Sequence, residues 1–100
     1  MNVANLQLEG LVMAVAALNQ ILVRKGVLSQ EEVELALRKV ESGQTSEERS
    51  ESLSPANRDA INFPIRLLQL ASRHTHGEMP PFSVLARAVG QQKEAYNDQM

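Results

Sequence analysis

"LQLEGLVMAVAALNQILVRKG", residues 6–26, decides the fold class of this chain of 100 residues. Leu8, Leu11, Val15, Leu18 and Leu22 recur at spacings of three and four, the a/d period of a packed helix. The pattern predicts a first helix over about 3–25. Its middle, "LVMAVAAL" (11–18), is apolar on nearly every side, so a single facing partner would leave part of it bare. Either the helix runs through the centre of a bundle or a second chain covers it. Arg24 and Lys25 stand where cations complement the C-terminal helix dipole, and Gly26 is a natural stop.

Working outward, "GVLSQEEVELALRKVESG" (26–43) carries the punctuation of a second helix. Ser29 is the N-cap, Glu32 closes a capping box, and Leu28 can staple against Val33. Val33, Ala36, Leu37 and Val40 form the expected buried stripe. Glu31, Glu34, Arg38, Lys39 and Glu41 are assigned to water, and Gly43 ends the helix. The short Gly26–Ser29 connection predicts an N-terminal antiparallel helical hairpin.

The next stretch, "SGQTSEERSESLS" (42–54), has Leu53 as its one large apolar side chain, so ordering it would recover little free energy. It reads as a flexible, acidic Ser/Glu-rich linker, with Arg49 the expected first site of proteolysis. Ser54-Pro55 then restarts a helix with a cap and a proline at the first helical position. That third helix, to about Thr75, is apolar around most of its circumference. Its polar strip is Asn62, Arg66, Gln69 and Arg73. Pro64 removes one backbone hydrogen bond and crowds the Ala60 carbonyl, which predicts a kink or break near Phe63. "SVLARAVG" (83–90), capped by Ser83, predicts a short fourth helix before a polar tail that frays.

The expected architecture is therefore all-α: a single domain over 1–100, built as a small bundle of about four helices. With hydrophobic residues at 43% and Phe63, Phe82 and Tyr96 as the aromatic complement, the core is aliphatic, which suits helices. The absence of cysteine excludes disulfides, thiolate metal sites and thiol nucleophiles, and fits a cytoplasmic setting. The uncharged run Gly10–Val23 spans 14 residues, against roughly 20 for a bilayer, so neither a membrane span nor export is expected.

"RHTHGEMPPFSVLARAVG" (73–90) is the segment that invites a site. His74 and His76 lie two apart, on opposite sides of any helix, and there are too few further ligands for a zinc site. A corner fits better, with Gly77 at positive φ as a helix stop, Pro80-Pro81 setting an extended bend, and Phe82 folding onto the third helix. "LARAVGQQKEAY" (85–96) resembles the first half of a helix-turn-helix with its turn at Val89-Gly90. That resemblance implies a nucleic-acid-binding regulator working through 83–100. The formal charge of −2, the pI of about 5.6, and one base against two acids in 91–100 work against phosphate binding.

Charge is unevenly spread. Residues 27–52 hold seven acids against three bases, and 53–90 hold four arginines against two acids. Arg58, Arg66, Arg73 and Arg87 could hold carboxylates or phosphates, although pairing with the Glu-rich second helix is favoured. No phosphate loop, metalloprotease signature or shifted carboxylate points to catalysis, and no cofactor or metal is expected. The function expected is that of a non-catalytic, homodimeric protein-interaction or adaptor module. Leu11, Val15, Leu18, Leu22, Arg66 and Arg73 form its expected surface, with the first or third helix at the interface.

Overall fold

The computed structural model describes residues 2–46 and 51–98. Among them are four α-helices and no strand: α1 (Val3–Arg24), α2 (Gln30–Gln44), α3 (Pro55–Ala71) and α4 (Phe82–Asp98). The chain is an all-α small bundle. Its centre is α3, against which α1, α2 and α4 all pack.

The caps are those the sequence encodes. Asn2 accepts from the Ala4 N–H at 2.8 Å, and Ser54 accepts from Asn57 N–H at 3.2 Å with Pro55 at the first helical position. Ser29 and Glu32 form the reciprocal capping box, at 3.0 and 2.9 Å. Gly26, at φ 76°, closes α1 in a tight turn, with Val27 N–H donating to the Leu22 carbonyl.

The core joins Val12 and Ala16 of α1, Leu67, Leu70 and Ala71 of α3, and Leu85 and Val89 of α4. Leu67 lies at its centre with 0% exposure. The apolar circumference of α3 is thus covered within one chain, by α1 on one side and α4 on another. α2 joins from the side through buried Val33, while Ala36 and Val40, assigned to its buried stripe, are exposed and Leu37 is half-buried.

Pro64 lies inside α3 and the helix is one element, so of the kink or break expected near Phe63 the break is absent. The single carbonyl that loses its partner belongs to Ala60, an exposed residue whose backbone water can serve. α3 stops at Ala71, four residues before the expected Thr75. There Arg73 and His74 donate N–H to Leu70 and Ala71 in i→i−3 fashion, and the Ser72 hydroxyl donates to the Gln69 carbonyl at 2.6 Å.

α2 continues to Gln44, so the first three residues of the expected 42–54 linker are helical. Thr45 stops it, its hydroxyl donating back to the Glu41 carbonyl at 2.9 Å. Arg49 lies outside the described residues. α4 begins at Phe82, one residue before the expected Ser83 cap, with the Pro81 carbonyl accepting from Val84 and Leu85. It continues to Asp98, through the tail expected to fray. It also passes Gly90 without a turn, so the helix-turn-helix resemblance lacks its defining corner.

The 72–81 connection is a corner, as its composition implies. Gly77 takes φ 79°, and Phe82 meets Phe63 edge-on at a centroid distance of 6.2 Å. A Cβ at Gly77 would touch nothing within 4 Å, so Gly77→Ala tests backbone strain alone. It is expected to lower stability by about 1–2 kcal/mol. Gly43→Ala, in the last turn of α2 with the same open surroundings, is expected to raise it by about 0.5–1 kcal/mol. Thermal melts of the pair that shift in the same direction would refute this.

Candidate interaction face

Every fourth residue from Val12 forms a slowly turning row on α1: Val12, Ala16, Gln20, Arg24. The first two are the α1 contribution to the core. The second two are hooks. Gln20 Nε2 donates to the carbonyls of His74 (2.8 Å) and Gly77 (3.3 Å), and Arg24 Nε donates to that of Thr75 at 2.9 Å. Arg24 Nη2 reaches the Gly77 carbonyl as well. These hooks satisfy loop carbonyls just beyond the end of α3, where positive charge is also favoured by the helix dipole.

The row fixes how α1 is rotated, and so decides which side faces water. Of the heptad residues, Leu11 is 63% and Leu18 61% exposed, and Leu8 is exposed too. Val15 and Leu22 are half-buried. Val3 and Ile21 are further large exposed residues of α1, and Gly10, Ala14 and Ala17 are exposed between them. From Val3 to Ile21 this side carries no charge. The 22-residue helix holds an 18-residue stretch of mean hydropathy 1.6, of which 11% is buried. By length and composition alone, it is long and apolar enough to cross a membrane.

The arginines do not gather into one site. Arg66 Nε donates to Glu41 Oε2 at 2.8 Å, and its Nη1 lies 3.8 Å from Asp59 Oδ1. Gln69 Nε2 donates to the other Glu41 oxygen at 3.0 Å. Glu41, assigned to water by the sequence pattern, is therefore the anchor of α2 on α3. Arg73 and Arg87 are exposed. Asn62, placed on the polar strip, is 1% exposed instead; its Oδ1 has no hydrogen-bond partner, nor has the buried Nε of Arg58 one turn earlier.

Burial pushes the Glu41 carboxyl upward, but the hydrogen bonds from Arg66 and Gln69 and the Arg66 charge outweigh it and leave the group below its ordinary 4.5. A carboxyl whose folded value is depressed stabilises the fold above its unfolded value. That contribution is complete above about pH 4.5 and is lost as the pH falls through the lower, folded value. Glu41→Gln should accordingly flatten the acid limb of the stability profile and weaken the fold at neutral pH. An unchanged slope below pH 5 would show that the pair contributes nothing.

His74 and His76 are both exposed; His74 serves through its backbone carbonyl. Among the described residues, no three His, Asp or Glu side chains converge as metal ligands would. A groove with a cavity volume of only about 10 Å³ lies between Ala16, Gln20, Val33, Leu68, Ser72 and Thr75. That is far below the roughly 300–1,000 Å³ of small-molecule sites. No protein-family model, curated protein or solved structure matches the chain.

Proposed function

We propose that the chain is a non-catalytic helical interaction module that works as a homodimer through the outer face of α1. The observation carrying this reading is the exposure of Leu11 and Leu18, 63% and 61%, on a side of the helix without charge. At such exposures Val3, Leu11, Leu18 and Ile21, with Ala14 and Ala17, leave on the order of 500 Å² of apolar surface together. Typical monomers expose patches of about 300–600 Å², and a stable interface takes about 800 Å² per partner. The face thus supplies most of the area a dimer needs.

A bilayer is the rival occupant, favoured by the length and hydropathy of α1. Spanning it would strip Val12 and Ala16 from the core, release Arg24 from its carbonyls and carry Glu9 into hydrocarbon. Lying on an anionic surface would find Lys25 as the cation on that face, in a chain of net charge −2. A second copy meets neither obstacle. Sedimentation equilibrium at micromolar concentration should give about twice the 11.0 kDa chain mass. A clean 11.0 kDa species would overturn the reading.

A further inference from the structure

The outer face of α1 also specifies how two copies would meet. We infer that α1 pairs with the α1 of a second copy in antiparallel orientation, crossing at Ala14. This rests on the dimer reading above and goes further, to partner, register and direction.

Three features carry it. The exposed side centred on Ala14 lies nearly opposite Val12 and Ala16 on the helical circle, Ala14 being about 160° from each at 100° per residue. The bundle therefore stands behind α1 and leaves the approach of a second helix clear. Secondly, an antiparallel crossing at Ala14 pairs residues whose numbers sum to 28. Leu18 then faces Gly10 of the second copy, Leu11 faces Ala17, and Ala14 faces Ala14. Each of these two leucines meets a small residue, and nothing lies within 4 Å of where a Cβ at Gly10 would stand to obstruct the incoming leucine. In-register parallel pairing sets leucine against leucine and holds the helices apart.

The third feature is charge. This face ends in Lys25, beside Arg24. Parallel pairing would place both sets of cations together and align the two helix dipoles, whereas antiparallel pairing separates the Lys25 residues by roughly 33 Å and opposes the dipoles. The arrangement is isologous: each copy offers the same patch, and a two-fold axis closes the assembly at two.

The cysteine-free sequence makes the test clean. Single variants Gly10→Cys, Ala14→Cys and Leu18→Cys are oxidised, each alone and with the first and last mixed. Covalent dimer is expected from Ala14→Cys alone and from the Gly10→Cys and Leu18→Cys mixture, with little from either of those alone. A nitroxide on Lys25→Cys, outside the crossing, should report a distance of roughly 33 Å by pulsed electron resonance. Efficient linkage of Gly10→Cys to itself, or a label distance near 10 Å, means parallel pairing and overturns the inference. So does a dimer by sedimentation that yields no Ala14 linkage. In both cases the dimer survives and only its geometry falls. A sedimenting monomer, whether free or taken up by neutral or anionic vesicles, overturns the inference and the dimer reading together.

Discussion

Leu67→Ala should destabilise the chain by about 2–5 kcal/mol, a large share of the roughly 5–15 kcal/mol that holds a domain of this size folded. Leu67 is 0% exposed and sits where α1, α3 and α4 meet. Truncation removes buried methyl groups and leaves a space that three helices would have to move together to fill. Relaxation is hardest at such a junction, so the cost should fall toward the upper part of the range. Leu11→Ala is the control: same residue type, same change, but 63% exposed on α1. In dilute monomer its effect should stay within about 0.5 kcal/mol. Chemical denaturation of the two variants decides the matter. Equal losses would mean that the core is not where α3 crosses α1.

The contrast between these two leucines also shows how far the residues alone can be read. Local chemistry was legible because it is short-range. The Ser29-Glu32 box, the Ser54-Pro55 start and the Gly26 stop depend on neighbours a few positions away, and all are in place; Gly77 takes the expected positive φ, but six residues beyond the end of α3 and not as its stop. The a/d leucines identified α1 as a helix without revealing which side faces in. Hydrophobicity ranks Leu above Ala and Gln, so the pattern left the leucines to face either the core or a second chain. The rotation is set instead by Gln20 and Arg24 seeking carbonyls more than 50 residues later, and by the closeness that Ala16 allows. A row of two apolar residues followed by two polar ones, each four apart, is the trace this leaves in the sequence. Glu41 is harder still. Nothing within α2 distinguishes it from Glu34 or Glu31, and its partners Arg66 and Gln69 are contributed by another helix. The Val89-Gly90 turn failed for the opposite reason. Glycine permits a turn but does not impose one, and the ladder of α4 runs on through it.

Charging the outer face of α1 should have the largest effect on association. In Leu11→Glu/Leu18→Glu, both substitutions fall at exposed sites, so the isolated chain should keep its helical content and melt within a few degrees of the unaltered monomer. Each dimer, however, would bury four carboxylates against apolar neighbours with no cation opposite. Like-charge juxtaposition and desolvation at an interface amount to several kcal/mol, and each 1.4 kcal/mol is tenfold in Kd. A weakening of at least about 100-fold is therefore expected, taking a micromolar dimer to monomer over the working range. The equivalent pair on α2, Leu35→Glu/Val40→Glu, alters side chains that are 55% and 48% exposed but lie off this face. Dimerisation should survive it. Sedimentation equilibrium of both double variants separates the cases: loss of the dimer only on α1 places the interface there, and loss only on α2 moves it. The antiparallel crossing adds an internal check, because Leu18 meets Gly10 of the other copy. Leu18→Glu opposite Gly10→Lys, mixed as two chains, should form a heterodimer where the Leu18→Glu chain alone does not associate. The opposed charges then lie within reach across the two-fold axis, an arrangement that parallel pairing cannot produce.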